Sequence, residues 1–168
     1  MGDPFDPLAL LAILQRHEVQ YLVIGGFAAT AYGSHLPTTD IDITPERSRQ
    51  NLTRLSAALT EMDARIRTDG APGGLPFPHD GALLLGVGVL NLVTSHGELD
   101  LVMEPAGGAT YDQLASRVVV VEVRGVAVPL AALDDVIASK RAASRPKHRA
   151  ALPTLDELRN RLQESAPD

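Results

Sequence analysis

The residues best suited to chemistry are the pair Asp40-x-Asp42, the doublet Gly25-Gly26, and the single residues Asp100 and Lys140. Asp40-Ile41-Asp42-Ile43 alternates strictly between polar and apolar, the pattern of a β-strand. Residues two apart on a strand point to the same face, so the two carboxylates converge. Carboxylates that close repel, and one takes up a proton unless a cation joins them. Oxygen-only ligation suits Mg²⁺ (or Mn²⁺), which keeps several waters and takes further oxygens from substrate phosphates. The alternative is an exposed strand face with two solvated acids.

Gly25-Gly26 follows the apolar run Tyr21-Leu22-Val23-Ile24 and precedes a small, helix-compatible stretch, Phe27–Tyr32. At such a strand-to-helix junction, bare backbone N–H groups and the helix dipole favour an anion, and glycine lets a phosphate approach the backbone. Asp100 lies in Leu99-Asp100-Leu101-Val102, where a charge is unexpected. It is either paired or metal-bound, or it sits at a strand edge facing water. Lys140 continues the apolar stripe Leu130, Leu133, Ile137 at helical spacing. It either snorkels outward or points a cation into an acidic, phosphate-filled cleft. Together, anion-binding glycines, three acids and an inward lysine describe phosphoryl or nucleotidyl transfer.

The elements that must position these groups can be read along the chain. A helix is expected over Asp6–His17, a buried strand at Tyr21–Ile24, a short helix closed by Gly33, and a strand at Asp40–Ile43. Pro45 opens a helix expected over roughly Glu46–Met62, and Asp69–Asp80, rich in Pro and Gly, reads as the longest loop. Val89–Thr94 and Glu98–Met103 flank Ser95-His96-Gly97 as a hairpin. A short helix at Tyr111–Ala115 precedes a second hairpin, Val118–Val123 and Val126–Val128. Helices Leu130–Ala142 and about Arg149–Gln163 finish the chain. The expected architecture is α+β in one domain spanning 1–168: a core over about 18–128 with a mixed central sheet and flanking helices, closed over a cleft by C-terminal helices at about 130–163.

Composition narrows the chemistry. The chain has 168 residues and no Cys, which excludes disulfides, thiolate zinc sites and cysteine nucleophiles. No His/carboxylate spacing supports a zinc site. No apolar run is long enough to cross a bilayer, and the N-terminus lacks the basic start and apolar stretch of a signal peptide, so a cytoplasmic protein with no membrane partner is expected. The net charge of −6 is unevenly spread: Ser139–Arg161 holds seven of the 15 bases and only two of the 21 acids. That segment is either a solvated helix surface or a face that meets phosphates.

Leu22-Val23-Ile24-Gly25-Gly26, thirteen residues, then Asp40-Ile41-Asp42-Ile43 resembles the signature of the DNA-polymerase-β-like nucleotidyltransferase superfamily. Thr94–Val102, Tyr111–Leu114 and Ser139–Lys147 extend the resemblance towards small prokaryotic nucleotidyltransferases related to abortive-infection and toxin–antitoxin toxins. The resemblance implies that Asp40, Asp42 and Asp100 hold catalytic Mg²⁺, with Asp100 helping to activate the acceptor hydroxyl. Gly25 and Gly26 would lie under the triphosphate of an NTP, and Lys140 would contact phosphate. It further implies in-line transfer of NMP to a hydroxyl of an RNA 3′ end (tRNA included) or of a protein, with a cognate antitoxin as a possible partner. Three departures stand out: Leu36 where relatives carry Arg, Gly26 where several carry Ser, and His148 where many carry Asp. They leave open a second reading, a degenerate nucleotidyltransferase fold kept as an interaction module.

Overall fold

The computed structural model describes residues 4–166. Its first helix, α1 (Pro7–Arg16), is capped by Asp6, whose side chain accepts from the Ala9 amide at 3.1 Å. Strand β1 (Tyr21–Ile24) runs straight into α2 (Gly25–Ala31), and β2 (Asp40–Pro45) returns antiparallel to β1. Helix α3 begins at Arg49 and ends at Glu61. The sequence places its start near Glu46, but Pro45 is still in the strand, and Ser48, bonded to the Glu46 carboxylate, serves as the N-cap.

The segment expected to be a loop is partly a hairpin. Strands β3 (Arg65–Thr68) and β4 (Ala71–Leu75) flank Asp69-Gly70, a two-residue connection of the kind that tight hairpins use. After the short helix α4 (Gly81–Leu85), β5 (Val89–Thr94) and β6 (Gly97–Val102) form the expected antiparallel pair. Next come α5 (Tyr111–Ala115) with a Thr110/Gln113 capping box, β7 (Val119–Val123) and β8 (Val126–Leu130). Leu130 pairs with Val23, so it belongs to the sheet, and α6 runs from Leu133 to Ala143. Helix α7 (Pro146–Glu164) starts at a proline on its first turn, three residues ahead of the expected position, and carries Pro153 inside it.

The eight strands make one mixed sheet in the order β4-β3-β5-β6-β2-β1-β8-β7. The parallel pairs are β2/β6 and β1/β8. The alternation read in the sequence of β2 and β6 becomes two faces. Ile41, Ile43, Leu99 and Leu101 are fully buried in the core with Leu10, Leu11 and Leu14 of α1 and Leu52, Leu55 and Leu59 of α3. Each such side chain contributes roughly 1.5–3 kcal/mol by leaving water. Asp40, Asp42 and Asp100 alternate with them and face the other way. Buried Asn51 fixes the α1–β1 connection to α3: its amide group bonds the Gln20 N–H at 2.7 Å and the Gln20 and Glu46 carbonyls at 2.8 and 2.7 Å.

Helices α2, α6 and α7 form a second group beside the carboxylate face. Helix α2 touches α6, which touches α7, and the Tyr32 hydroxyl donates to the Ala131 carbonyl at 2.8 Å. No described helix is long and apolar enough to cross a membrane.

Candidate active site

The register of two neighbouring strands builds the centre of the site. In the parallel β2/β6 pair Asp42 stands directly beside Asp100, and Asp40 lies two residues from Asp42 on the same face. One carboxylate oxygen from each of Asp40, Asp42 and Asp100 falls within 4.8 Å of the other two. The sequence pair Asp40-x-Asp42 and the isolated acid Asp100 of the β5/β6 hairpin therefore meet, as expected. Asp100 is buried, and its Oδ1 has no hydrogen-bond partner even though an Arg67 nitrogen lies 3.2 Å away as an ion-pair contact.

Three acids this close cannot all ionise freely. Burial, then the charge of Asp40, pushes Asp42 up to about 6, with Lys140 and Lys147 pulling the other way. Burial, then the charge of Asp42, pushes Asp100 up to about 7, opposed by Arg67. Such a set is held at neutral pH by protonation or by a cation. The donors are all hard oxygens, one of them buried without a hydrogen bond, and they fit a divalent cation of the Mg²⁺ or Mn²⁺ type.

Gly25 fits this centre for a physical reason. Its φ is +69°, a region L-residues avoid, and a Cβ there would lie 2.1 Å from Oδ2 of Asp42. The chain thus passes hard against the carboxylate, with no room for any side chain. Gly26 is less constrained: its Cβ would meet Thr38 Oγ1 at 3.3 Å. Thr38 in turn donates to the Asp40 carbonyl at 3.1 Å, steadying the entry to β2.

The carboxylates open into a cleft of about 960 Å³. Gly25, Gly26 and Leu36 line it on one side, Lys140, Arg145, Lys147 and His148 on another. Lys140 extends the buried stripe Leu133, Val136, Ile137 of α6, is half-buried and lines the same cleft as the carboxylates. Burial lowers its pKa, with the charges of Asp42 and Asp40 opposing. His148, half-buried with Nδ1 sheltered and unpartnered, is lowered by burial and by Lys140, Arg145 and Lys147.

The basic C-terminal segment divides. Lys140, Arg145 and Lys147 line the cleft. Arg141 pairs with Asp156 at 3.2 Å, Arg159 with Asp134 and Asp156 at 3.6 and 3.4 Å, and Arg149 bonds Ser144. About half of the bases read as a phosphate-facing surface are therefore engaged within the chain. Arg67, which lines the cleft opposite them, is not apparent in the sequence. The alternation Arg65-Ile66-Arg67-Thr68 ahead of Asp69-Gly70 is the signal that could have located its strand.

The fold recurs in solved structures. The chain superposes on the lincosamide antibiotic adenylyltransferase LnuA, bound to lincomycin, with a TM-score of 0.61 at 12% identity, covering 93% of this chain and 99% of that one. It superposes on ANT(2″)-Ia in complex with adenylyl-2″-tobramycin with a TM-score of 0.52 at 15% identity, covering 92% and 93%. A solution structure of the antibiotic-resistance factor ANT(2″)-Ia gives 0.51 at 16% identity, over 92% and 88%. The chain has the nucleotidyltransferase fold. No protein-family model and no curated protein sequence matches it. In this nucleotidyltransferase fold the strand pair β2/β6 carries the carboxylates, and the turn from β1 into α2 lies against them.

Proposed function

We propose that this protein is a nucleotidyltransferase that moves NMP from an NTP to an acceptor hydroxyl and releases pyrophosphate. The observation that carries the reading is the carboxylate cluster of Asp40, Asp42 and Asp100, pressed against a side-chain-free turn in a cleft that Lys140, Arg145 and Lys147 also line. The cleft volume lies within the range of about 300–1,000 Å³ typical of small-molecule sites.

Asp40, Asp42 and Asp100 are the residues that would hold Mg²⁺ (or Mn²⁺). When bound, the metal supplies Lewis-acid stabilisation of charge on the entering and leaving oxygens. The chain's own residues do the rest. Gly25 and Gly26 let polyphosphate approach the backbone, Lys140 and Lys147 neutralise it, and the rigid strands hold Asp100 where an acceptor hydroxyl is oriented and loses its proton. Catalysis on this plan is positioning and charge neutralisation, with no covalent enzyme intermediate.

Two acceptor classes follow from different observations. The solved neighbours carry or act on small antibiotics, and a small hydroxyl-bearing molecule fits a cleft of this size. The sequence resemblance and the cleft-lining bases Lys140, Arg145 and Lys147 favour an RNA 3′ end, tRNA included, or a protein hydroxyl. Transfer to RNA resting on phosphate contacts falls steeply with salt, whereas transfer to a small molecule does not. A toxin role with a cognate antitoxin rests on the motifs alone. It is tested by growth arrest on expression that Asp42→Ala relieves.

The test of the core reading is direct. The protein is incubated with each labelled NTP, Mg²⁺ and, in turn, total RNA, cellular protein and a panel of hydroxylated small molecules. Label transfer that disappears in Asp42→Ala is the expected result. No transfer under any condition, with no metal–nucleotide binding by calorimetry, would leave the interaction-module reading, for which Leu36 in the cleft wall and His148 are the specific observations.

A further inference from the structure

We infer that Arg67 is a positioning residue for Asp100: its guanidinium holds that carboxylate in the cluster, and its charge limits how tightly the cluster binds a divalent cation. The inference rests on the metal-binding reading of the three acids given above.

Arg67 stands on β3, and β5 lies between β3 and β6, so its side chain spans a whole strand to reach the site. There it meets two carboxylates that share one face of β6. Nη1 is 2.8 Å from Oε2 of Glu98, and Nη2 is 3.2 Å from Oδ1 of Asp100. Among the described residues this is the one ion pair made by any of Asp40, Asp42 and Asp100; the nearest lysine, Lys140, acts on them only through its field. The neighbouring Arg65 is engaged elsewhere, with Asp63 at 3.5 Å.

The two contacts differ in kind. The Glu98 contact is a short hydrogen bond, which anchors the guanidinium. The Asp100 contact is close, but Oδ1 still lacks a hydrogen bond, so its lone pairs are not consumed. A planar fork anchored at one carboxylate and resting beside another fixes the second without occupying it. The fixed positive charge next to a metal ligand also repels an incoming dication. Arg67 therefore acts in two directions: it orders Asp100 for turnover, and it weakens cation binding at the same acid.

The two effects separate in an experiment on the full-length protein. Mn²⁺ binding is measured by calorimetry or electron paramagnetic resonance, without nucleotide, alongside label transfer at saturating metal. Arg67→Met is expected to bind Mn²⁺ about tenfold tighter while turning over about tenfold or more slower. Arg67→Lys keeps the charge and loses the fork, so Mn²⁺ affinity returns close to wild type while turnover stays low. Glu98→Gln is the second variant. It removes the anchor and leaves the whole charge to Asp100, so Mn²⁺ binding weakens about threefold.

A purely structural Arg67 would lower thermal stability in Arg67→Met and leave Mn²⁺ affinity unchanged. Unchanged affinity in both folded variants overturns the inference, while Mn²⁺ binding by the wild type would still support the metal reading. If Arg67→Met fails to fold, Glu98→Gln alone decides. Failure of the wild type to bind Mn²⁺ overturns both readings.

Discussion

On the strand side of the cleft, backbone register fixes the functional groups. Asp42 is opposite Asp100 because β2 and β6 run parallel in that register, and both carboxylates sit against buried neighbours. On the helix side, Lys140 is half-buried, while Arg145 and Lys147 are exposed on the joint between α6 and α7, where Ser144 takes a left-handed φ of +55°. One side is anionic, crowded and fixed by strand register; the other is cationic, more exposed and carried on long side chains. On the function proposed above, the groups that would hold an ion at fixed geometry are set by strands, and those that would only offer charge to a polyphosphate are set loosely. Errors on the strand side should therefore cost orders of magnitude, and errors on the helix side much less.

The largest effect belongs to the strand side. Asp42→Asn should reduce label transfer about a thousandfold or more. The same change removes a repelling charge, so chemical denaturation should show a protein on the order of 1 kcal/mol more stable. Loss of stability in the variant would mean that the acids are not in conflict. Gly25→Ala comes next. Both its backbone conformation and the 2.1 Å approach to Asp42 forbid the new methyl group, so activity should fall about a hundredfold and stability by roughly 2–3 kcal/mol. Adding Asp42→Ala to it should recover part of that stability, and strict additivity of the two changes would break the proposed contact.

The third effect is a pH dependence with a definite sign. Asp42 near 6 and Asp100 near 7 stand above the value of about 4 that an aspartate has in an unfolded chain. Between about pH 4 and 7 the folded protein therefore holds protons that the unfolded chain has released, and stability falls as pH rises through that window. Denaturation at pH 4.5 and 7.5 should show on the order of 2 kcal/mol lost, relative to an Asp42→Asn/Asp100→Asn variant carried through the same buffers. Added Mg²⁺ should restore it at the higher pH. Parallel profiles for the two proteins would remove the carboxylate conflict from the account.

The helix side should give the smallest changes. Lys140→Gln should raise the KM for nucleotide about tenfold with a lesser change in kcat, and Lys147→Gln, fully on the rim, about threefold. Steady-state kinetics that put the larger loss on Lys147 would reverse the assignment of the inner and outer cation.

Those differences also explain what could be read from the sequence. The carboxylates were legible because a strand writes its faces into alternate residues: Asp40-Ile41-Asp42-Ile43 and Leu99-Asp100-Leu101 say which side chains turn from the core. Lys140 was legible because a cation at helical spacing behind Leu133 and Ile137 breaks a stripe. Arg67 was not, because what matters about it is a contact made across 33 positions to Asp100, and long-range pairing leaves no local trace. Its hairpin was obscured by proline and glycine: Gly74, with φ +77°, bends β4 where a side chain would strike Val93 and Arg65. The division of the basic segment between cleft and internal ion pairs was only partly visible: Asp156 and Arg159 stand three apart on α7, but Asp156 meets Arg141 and Asp134 meets Arg159 only after α6 and α7 pack together.

Gly25 carries one more implication. The space that a side chain at position 25 would need is occupied by the carboxylate of Asp42, so the two positions answer to each other: the acid can be kept only while the glycine is kept. A lineage that abandoned the reaction and lost the acid would release position 25 from that steric veto, leaving the strain of its +69° φ as the remaining constraint. Among descendants of this chain, the residue at 25 should thus report whether the site is still in use, as wear on a hinge reports whether a door is still opened.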